Sequence, residues 1–175
     1  MIAVRTATED DVDALATAHI DAWRVGYRGL FPDEYLDSGA FAAERRSIWE
    51  LREWSAHPDQ AVFAGLVDER VVGFALVGPD RDEPTQGEVY AFYVHPDAWG
   101  TGVARSLIEA GEQWLRDQGF TNASLWVLRD NPRARRFYEK SGWSCTGIET
   151  SWDGPTNASG EPLAPIAELK YARPL

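Results

Sequence analysis

One stretch constrains this chain more than any other: residues 94–104, VHPDAWGTGVA. An apolar, aromatic run over 89–94 stops at His95 and Pro96, a loop carrying Gly100 and Gly102 follows, and a long amphipathic segment then covers 103–115. Strand, glycine loop and helix N-terminus together make an anion site. The first N–H groups of a helix lack intrahelical partners, the helix dipole is positive there, and glycine lets a phosphate approach the backbone.

The rest of the chain bounds what that anion belongs to. A length of 175 residues suits a single domain over 1–175 with a substantial core, and 44% hydrophobic and 12% aromatic residues, 8 of them Trp, describe a globular chain. A net charge of −11 argues against a nucleic-acid partner and is compatible with a cationic small substrate. The lone Cys145 excludes an intramolecular disulfide and a cysteine metal cluster, and His19, His57 and His95 have no metal-ligand spacing, so no metal is expected. Arg5, Glu9, Asp10, Asp11 and Asp13 interrupt the N-terminal apolar residues, and no run reaches the length of a membrane span. A cytoplasmic location without a membrane partner is therefore expected.

The periodicity predicts a strand over 2–5 and a helix capped by Thr8 whose apolar face is Val12, Leu15, Ala16, Ile20 and Trp23. A short helix follows Pro32, another covers 44–54, and two apolar runs over 61–67 and 71–77 flank a hairpin at Asp68, Glu69 and Arg70. A strand over 88–94 leads into the glycine loop and its helix, which Gly119 ends. A strand follows over 123–128, then a helix from Asn131 and Pro132 to Gly142, and an antiparallel pair over 143–152 and 166–172 joined by a loop over 153–165. The order β, α, α, a run of strands, then β-α-β-α-β-β predicts a mixed α/β fold. Its central sheet is mostly antiparallel with one parallel β-α-β crossover.

Two nucleotide motifs do not fit the loop. No Lys follows Gly102, as a P-loop requires, and Arg105 occupies the third glycine position of a dinucleotide fingerprint. A tight turn with structural glycines is the plain alternative. The segment Trp99-Gly100-Thr101-Gly102-Val103-Ala104, preceded by Val94-His95-Pro96, resembles the acyl-CoA loop of the GNAT superfamily of N-acetyltransferases, Gln/Arg-x-x-Gly-x-Gly/Ala, with Trp99 in place of Gln or Arg. The stretch from Asn131 to Trp143 is similar to that family's second signature, Asn-x-x-Ala-x-x-Phe-Tyr-x-Lys-x-Gly-Phe, with Trp143 for the final Phe.

The resemblance implies the GNAT acyl-CoA N-acyltransferase fold, acetyl-CoA as co-substrate and direct transfer of its acetyl group to an amine on a small molecule, peptide or antibiotic. The alternatives are a non-catalytic acyl-CoA-binding or sensor module of the same fold, or a donor with a longer acyl chain. By the same resemblance, Tyr138 would protonate the leaving thiolate, with core packing as the plain alternative, and Glu88 would act as the base through a water or be an exposed carboxylate at a strand end. The N–H of Val94 would stabilise the oxyanion, Phe92 would offer backbone contacts, and residues Trp99, Gly100, Thr101, Gly102, Val103 and Ala104 would cradle the pyrophosphate. Asn131 would bond the cofactor or serve as a helix cap. Arg133, Arg135 and Arg136 would meet the adenosine phosphate or form a solvated face. Phe137 reads as core. Strict alternation places Glu88, Tyr90, Phe92 and Val94 on one face. Trp23, Tyr27, Asp33, Tyr90 and Trp152 are candidates for the acceptor pocket or for packing, and the Trp-rich final strand pair would suit a homodimer interface.

Overall fold

The computed structural model describes residues 1–54, 57–152, 154 and 166–175. Its elements are β1 (Ile2–Thr6), α1 (Val12–Gly26), α2 (Asp33–Leu36), α3 (Gly39–Glu50), β2 (Ala61–Val67), β3 (Arg70–Pro79), β4 (Gly87–Val94), α4 (Val103–Asp117), β5 (Asn122–Leu128), α5 (Pro132–Lys140), β6 (Ser144–Trp152) and β7 (Ile166–Pro174). All seven strands form one sheet in the order β1-β2-β3-β4-β5-β7-β6. Every pairing is antiparallel except β4 with β5, so the expected mixed sheet with a single parallel crossover is what forms. The expected loop over 153–165 lies outside the described residues except for Gly154.

The helices cover opposite faces of the sheet. Helix α1 lays Leu15 and Ala16 against Phe74 of β3, with Trp49 of α3 beside them. On the other face Ile108 and Leu115 of α4 pack with Val77, Val89 and Leu125, and Tyr138 of α5 joins the same cluster with Trp143. Contact there is close. A Cβ on Gly65 would lie 2.6 Å from the Leu107 side chain, so only glycine lets α4 sit so low on β2.

Local signals account for most boundaries. The Thr8 N–H donates to the Asp11 carboxylate at 2.9 Å across the turn that opens α1. The β2–β3 hairpin turns on Asp68 and Glu69, both with positive φ (48° and 67°), the backbone that a two-residue turn needs to match strand twist. Helix α3 runs earlier than the periodicity suggested, over Gly39–Glu50 rather than 44–54. Ser38 caps it by accepting the Phe41 N–H at 3.0 Å, and the chain leaves the helix before Trp54.

One departure matters for function. Leu76 pairs with Ala91 but Val77 pairs with Val89, so Tyr90 is an extra residue in β4, a β-bulge. Val89, Phe92 and Val94 consequently pack on the α4 face, whereas Ala91 and Tyr93 pack on the α1–α3 face. The expected single face for Glu88, Tyr90, Phe92 and Val94 is therefore corrected: Phe92 and Val94 lie opposite to Glu88, because the bulge resets the alternation.

Candidate active site

Strands β4 and β5 pair only over three positions, Gly87 with Ala123, Glu88 with Ser124 and Val89 with Leu125. Beyond them the strands separate, and a cleft of about 750 Å³ runs through the gap. Its walls include Phe92, Tyr93 and Val94 from β4, Trp126 to Leu128 from β5, Trp99, Gly100 and Ala104 from the loop and α4, and Asn131, Phe137 and Tyr138 from α5. The two signature stretches, distant in sequence, thus share one cleft.

The glycine loop forms as its residues predict. Gly100 and Gly102 have φ of 81° and 99°, and Gly102 is the N-cap of α4. Substitution at Gly102 is strained by conformation rather than by space, since a Cβ there meets its nearest neighbour at 3.4 Å. The first intrahelical bond runs from the Ser106 N–H to the Gly102 carbonyl at 3.2 Å, which leaves the preceding N–H groups at the helix mouth. The Val103 N–H reaches only the Thr101 hydroxyl, at 3.4 Å.

Trp99 does something the sequence did not reveal. Its indole N–H donates to the Val94 carbonyl at 2.8 Å, and the Arg133 guanidinium lies over its ring. The His95 N–H bonds across to Val72 of β3 at 2.7 Å. Strand alternation therefore turns the N–H and carbonyl of Val94 toward the open edge facing β5. Trp99 occupies that carbonyl, and the Val94 N–H remains directed into the gap.

Tyr138 is buried, packs edge-on to Phe92 and Trp143, and its hydroxyl makes no hydrogen bond among the described residues. Burial, with the Tyr93 hydroxyl nearby, pushes its pKa well above the ordinary phenol value, so it stays protonated. Phe137 stacks on Phe92 with ring centroids 5.4 Å apart, the packing role expected of it. Asn131 caps α5 by accepting the Ala134 N–H at 3.1 Å while also lining the cleft. Of the three arginines, Arg133 and Arg136 line the cleft, whereas Arg135 turns away to the Tyr171 hydroxyl at 3.1 Å.

Glu88 is buried at the cleft wall and its carboxylate is bound by Arg81. It accepts the Arg81 backbone N–H at 3.1 Å, Nε at 3.0 Å and a further bond from the second guanidinium nitrogen. Arg81 is held there by Asp80, which bonds the Asp82 and Glu83 N–H groups at 2.9 and 3.0 Å, the Ser124 hydroxyl, and Lys170 at 3.3 Å. These buried contacts clamp the β3–β4 loop onto β5 and β7.

The α1–α3 side of the cleft is aromatic. Trp23, Tyr27, Tyr93 and Trp152 line it, with Trp23 edge-on to both Tyr27 and Trp152 and the Tyr27 and Tyr93 hydroxyls 3.2 Å apart. The Arg45 guanidinium sits 4.3 Å over the Trp23 ring. Of the acceptor-side candidates, Trp23, Tyr27, Tyr90 and Trp152 reach the cleft; Asp33 does not, being 3.3 Å from Arg28 on the outer surface. His19 also lines it, but burial holds its pKa down to about 3 and its Nδ1 accepts the Trp49 indole N–H at 3.3 Å. Sequence reading missed Glu168 of β7, a half-buried carboxylate in the same wall. No group of residues suited to a metal ion occurs among the described residues, and no helix there is long and apolar enough to cross a membrane.

The comparisons with known proteins agree with this geometry. Residues 20–143 match the model of the acetyltransferase (GNAT) family. The uncharacterised N-acetyltransferase YuaI of Bacillus subtilis is 34% identical over 136 residues, 75% of each chain. The mycothiol acetyltransferase of Rhodococcus jostii is 35% identical over 133 residues, 67% of this chain and 44% of that longer protein. The crystal structure of the PaiA N-acetyltransferase of Thermoplasma acidophilum in complex with coenzyme A superposes with a TM-score of 0.76 at 18% identity, covering 100% of this chain and 99% of that one. The chain belongs to the GNAT family and is an acetyl-CoA-dependent N-acetyltransferase.

Proposed function

We propose that this enzyme acetylates a primary amine attached to an apolar or aromatic body, with acetyl-CoA entering along α4 and α5 and the acceptor from the α1–α3 side. One observation carries the reading: the hydroxyl of Tyr138 and the aromatic wall of Trp23, Tyr27, Tyr93 and Trp152 share the gap between β4 and β5. The mouth of α4, with its unpaired N–H groups and left-handed Gly102, suits a pyrophosphate, and Arg133, Arg136 and Lys140 supply positive charge on the same side. The Val94 N–H, directed into the gap, would stabilise the negative charge that the thioester carbonyl gains, and such donors act most strongly in a water-poor site. Tyr138, kept protonated by burial, would give its proton to the departing thiolate.

Rings bind an amine's hydrocarbon portion through buried area and its cation through their faces. Polar, multiply charged acceptors gain little from such a wall. Release of free thiol from acetyl-CoA across a panel of amines tests the reading. Arylalkyl and branched alkyl amines should give the highest kcat/KM. Preference for polycationic aminoglycosides, or no thiol release with any amine, would overturn it.

A further inference from the structure

An ammonium ion is not a nucleophile. An alkylamine with a pKa near that of lysine, about 10.4, is free base in roughly one molecule in 2,500 at neutral pH. A base beside the bound acceptor is therefore worth about 10²- to 10⁴-fold in rate. Among the described residues two carboxylates line the cleft, Glu88 and Glu168. Glu88 already accepts three hydrogen bonds from Arg81, which occupy three of the roughly four lone-pair sites of its carboxylate and turn it toward the β3–β4 loop.

We propose that Glu168 is the general base of this enzyme and that Glu88 is a positioning residue, holding Arg81 and the β3–β4 loop at the edge of the site. The assignment rests on the reading that the acceptor enters on the α1–α3 side. Glu168 pairs with Leu128 of β5 and Thr150 of β6, so it lies where β5 has already diverged from β4. Alternation places it on the face of Ile166, which packs with Trp23 of the acceptor wall and with the buried Phe31.

The groups around it come from several elements. Arg81 faces it from the β3–β4 loop, Glu88 and Tyr93 line the cleft from β4, and Tyr27 from the end of α1. Lys170, two residues along its own strand, has its ammonium 3.3 Å from Asp80. Burial raises the Glu168 carboxyl above the usual range and Arg81 opposes the rise, which brings this base closer to neutrality. His19, neutral and hydrogen-bonded to Trp49, and the phenols of Tyr27 and Tyr93, raised by burial, do not compete for that proton.

The step balances. Glu168 takes one proton from the ammonium, and the nitrogen lone pair then forms the bond to the thioester carbon. As the carbon–sulfur bond breaks, Tyr138 protonates the sulfur, and the second proton leaving nitrogen restores its hydroxyl. Glu168 returns its proton to solvent, so each turnover yields one amide, one free thiol and one proton.

The test is a pH–rate comparison of wild type, Glu168→Gln, Glu168→Asp and Glu88→Gln, using acetyl-CoA and the best amine of the panel. Glu168→Gln should lose about 100-fold or more in kcat/KM at neutral pH. Its rate should then rise about tenfold per pH unit until the amine's own pKa, where the gap to wild type closes. Affinity for acetyl-CoA, measured by calorimetry, should stay unchanged. Glu168→Asp should recover part of the neutral-pH rate, and it provides the profile if the Gln variant fails to fold. Glu88→Gln should show no such tenfold-per-unit rise, because Glu168 is still present; loosening Arg81, whose charge opposes the rise in the Glu168 pKa, moves only the acid limb of its profile. A wild-type profile in Glu168→Gln, or the steep profile appearing in Glu88→Gln instead, would overturn the assignment. A wild-type preference for acceptors without an apolar body would overturn the acceptor reading separately, because the profiles are compared on whichever amine is used.

Discussion

Trp99 donates its indole N–H to the carbonyl of Val94 at 2.8 Å, tying the start of the glycine loop to the end of β4. Without a side-chain donor in that place, the open edge of β4 would carry an unmatched carbonyl beside the N–H that faces the gap. Trp99→Phe keeps a ring under Arg133 but removes the donor. A net hydrogen-bond contribution of about 1 kcal/mol predicts a rise of roughly fivefold in the KM for acetyl-CoA, read by steady-state kinetics, while Trp99→Ala, which also loses the ring beneath Arg133, should cost more.

Tyr138→Phe removes the hydroxyl and leaves the aromatic packing against Phe92 and Trp143. The expected outcome is a fall in kcat of about 10²- to 10⁴-fold with acetyl-CoA affinity intact. Equal turnover in the variant would remove Tyr138 from the chemistry.

Trp143 stands where the resembling signature has Phe, and the fold supplies the reason. Its indole N–H bonds the carboxylate of Glu112 at 2.9 Å, and Arg173 reaches the same oxygen at 2.8 Å. Glu112 is a buried acid whose pKa burial raises, against the opposing pull of Arg173 and the Trp143 bond. Trp143→Phe should destabilise the fold by about 1–3 kcal/mol, the cost of leaving a buried acceptor short of a donor. Equilibrium urea unfolding measures this directly, and the Glu112→Gln background should shrink the difference.

Asp80 gives a pH-dependent contribution of definite sign. Burial acts to raise its pKa, but the bonds from Ser124, the Glu83 and Asp82 N–H groups and the charge of Lys170 outweigh it, leaving the pKa below the ordinary 3.8. A lowered acid stabilises the fold fully above its unfolded value and loses that stabilisation as pH falls through the folded one. Asp80→Asn should therefore be less stable than wild type near neutrality, and the difference should vanish at the acid end of a series of urea melts. A gap that widens in acid would contradict the assignment.

Much of this was legible along the chain because it rests on local rules. The strand end at Pro96, the glycines needing positive φ and the Asn131 cap of α5 are decided within a few residues of themselves. Helix α3 was misplaced because its apolar face is broken and its start depends on one cap, Ser38. The bulge at Tyr90 was hidden because a one-residue excess is visible only against the partner strand, β3.

The sequence by itself determined the mixed sheet, its parallel crossover and the two signature stretches, since hydrophobic periodicity and turn chemistry are short-range. Only the tertiary structure decided which side chains meet at the gap. It brought Glu168 into the cleft wall by returning β7 between β5 and β6, sent Asp33 outward to Arg28, and occupied Glu88 with Arg81. It also gave Trp99 its partner in Val94. Each depends on strand order, register or loop placement, quantities set by pairings between distant segments that no single stretch of sequence contains.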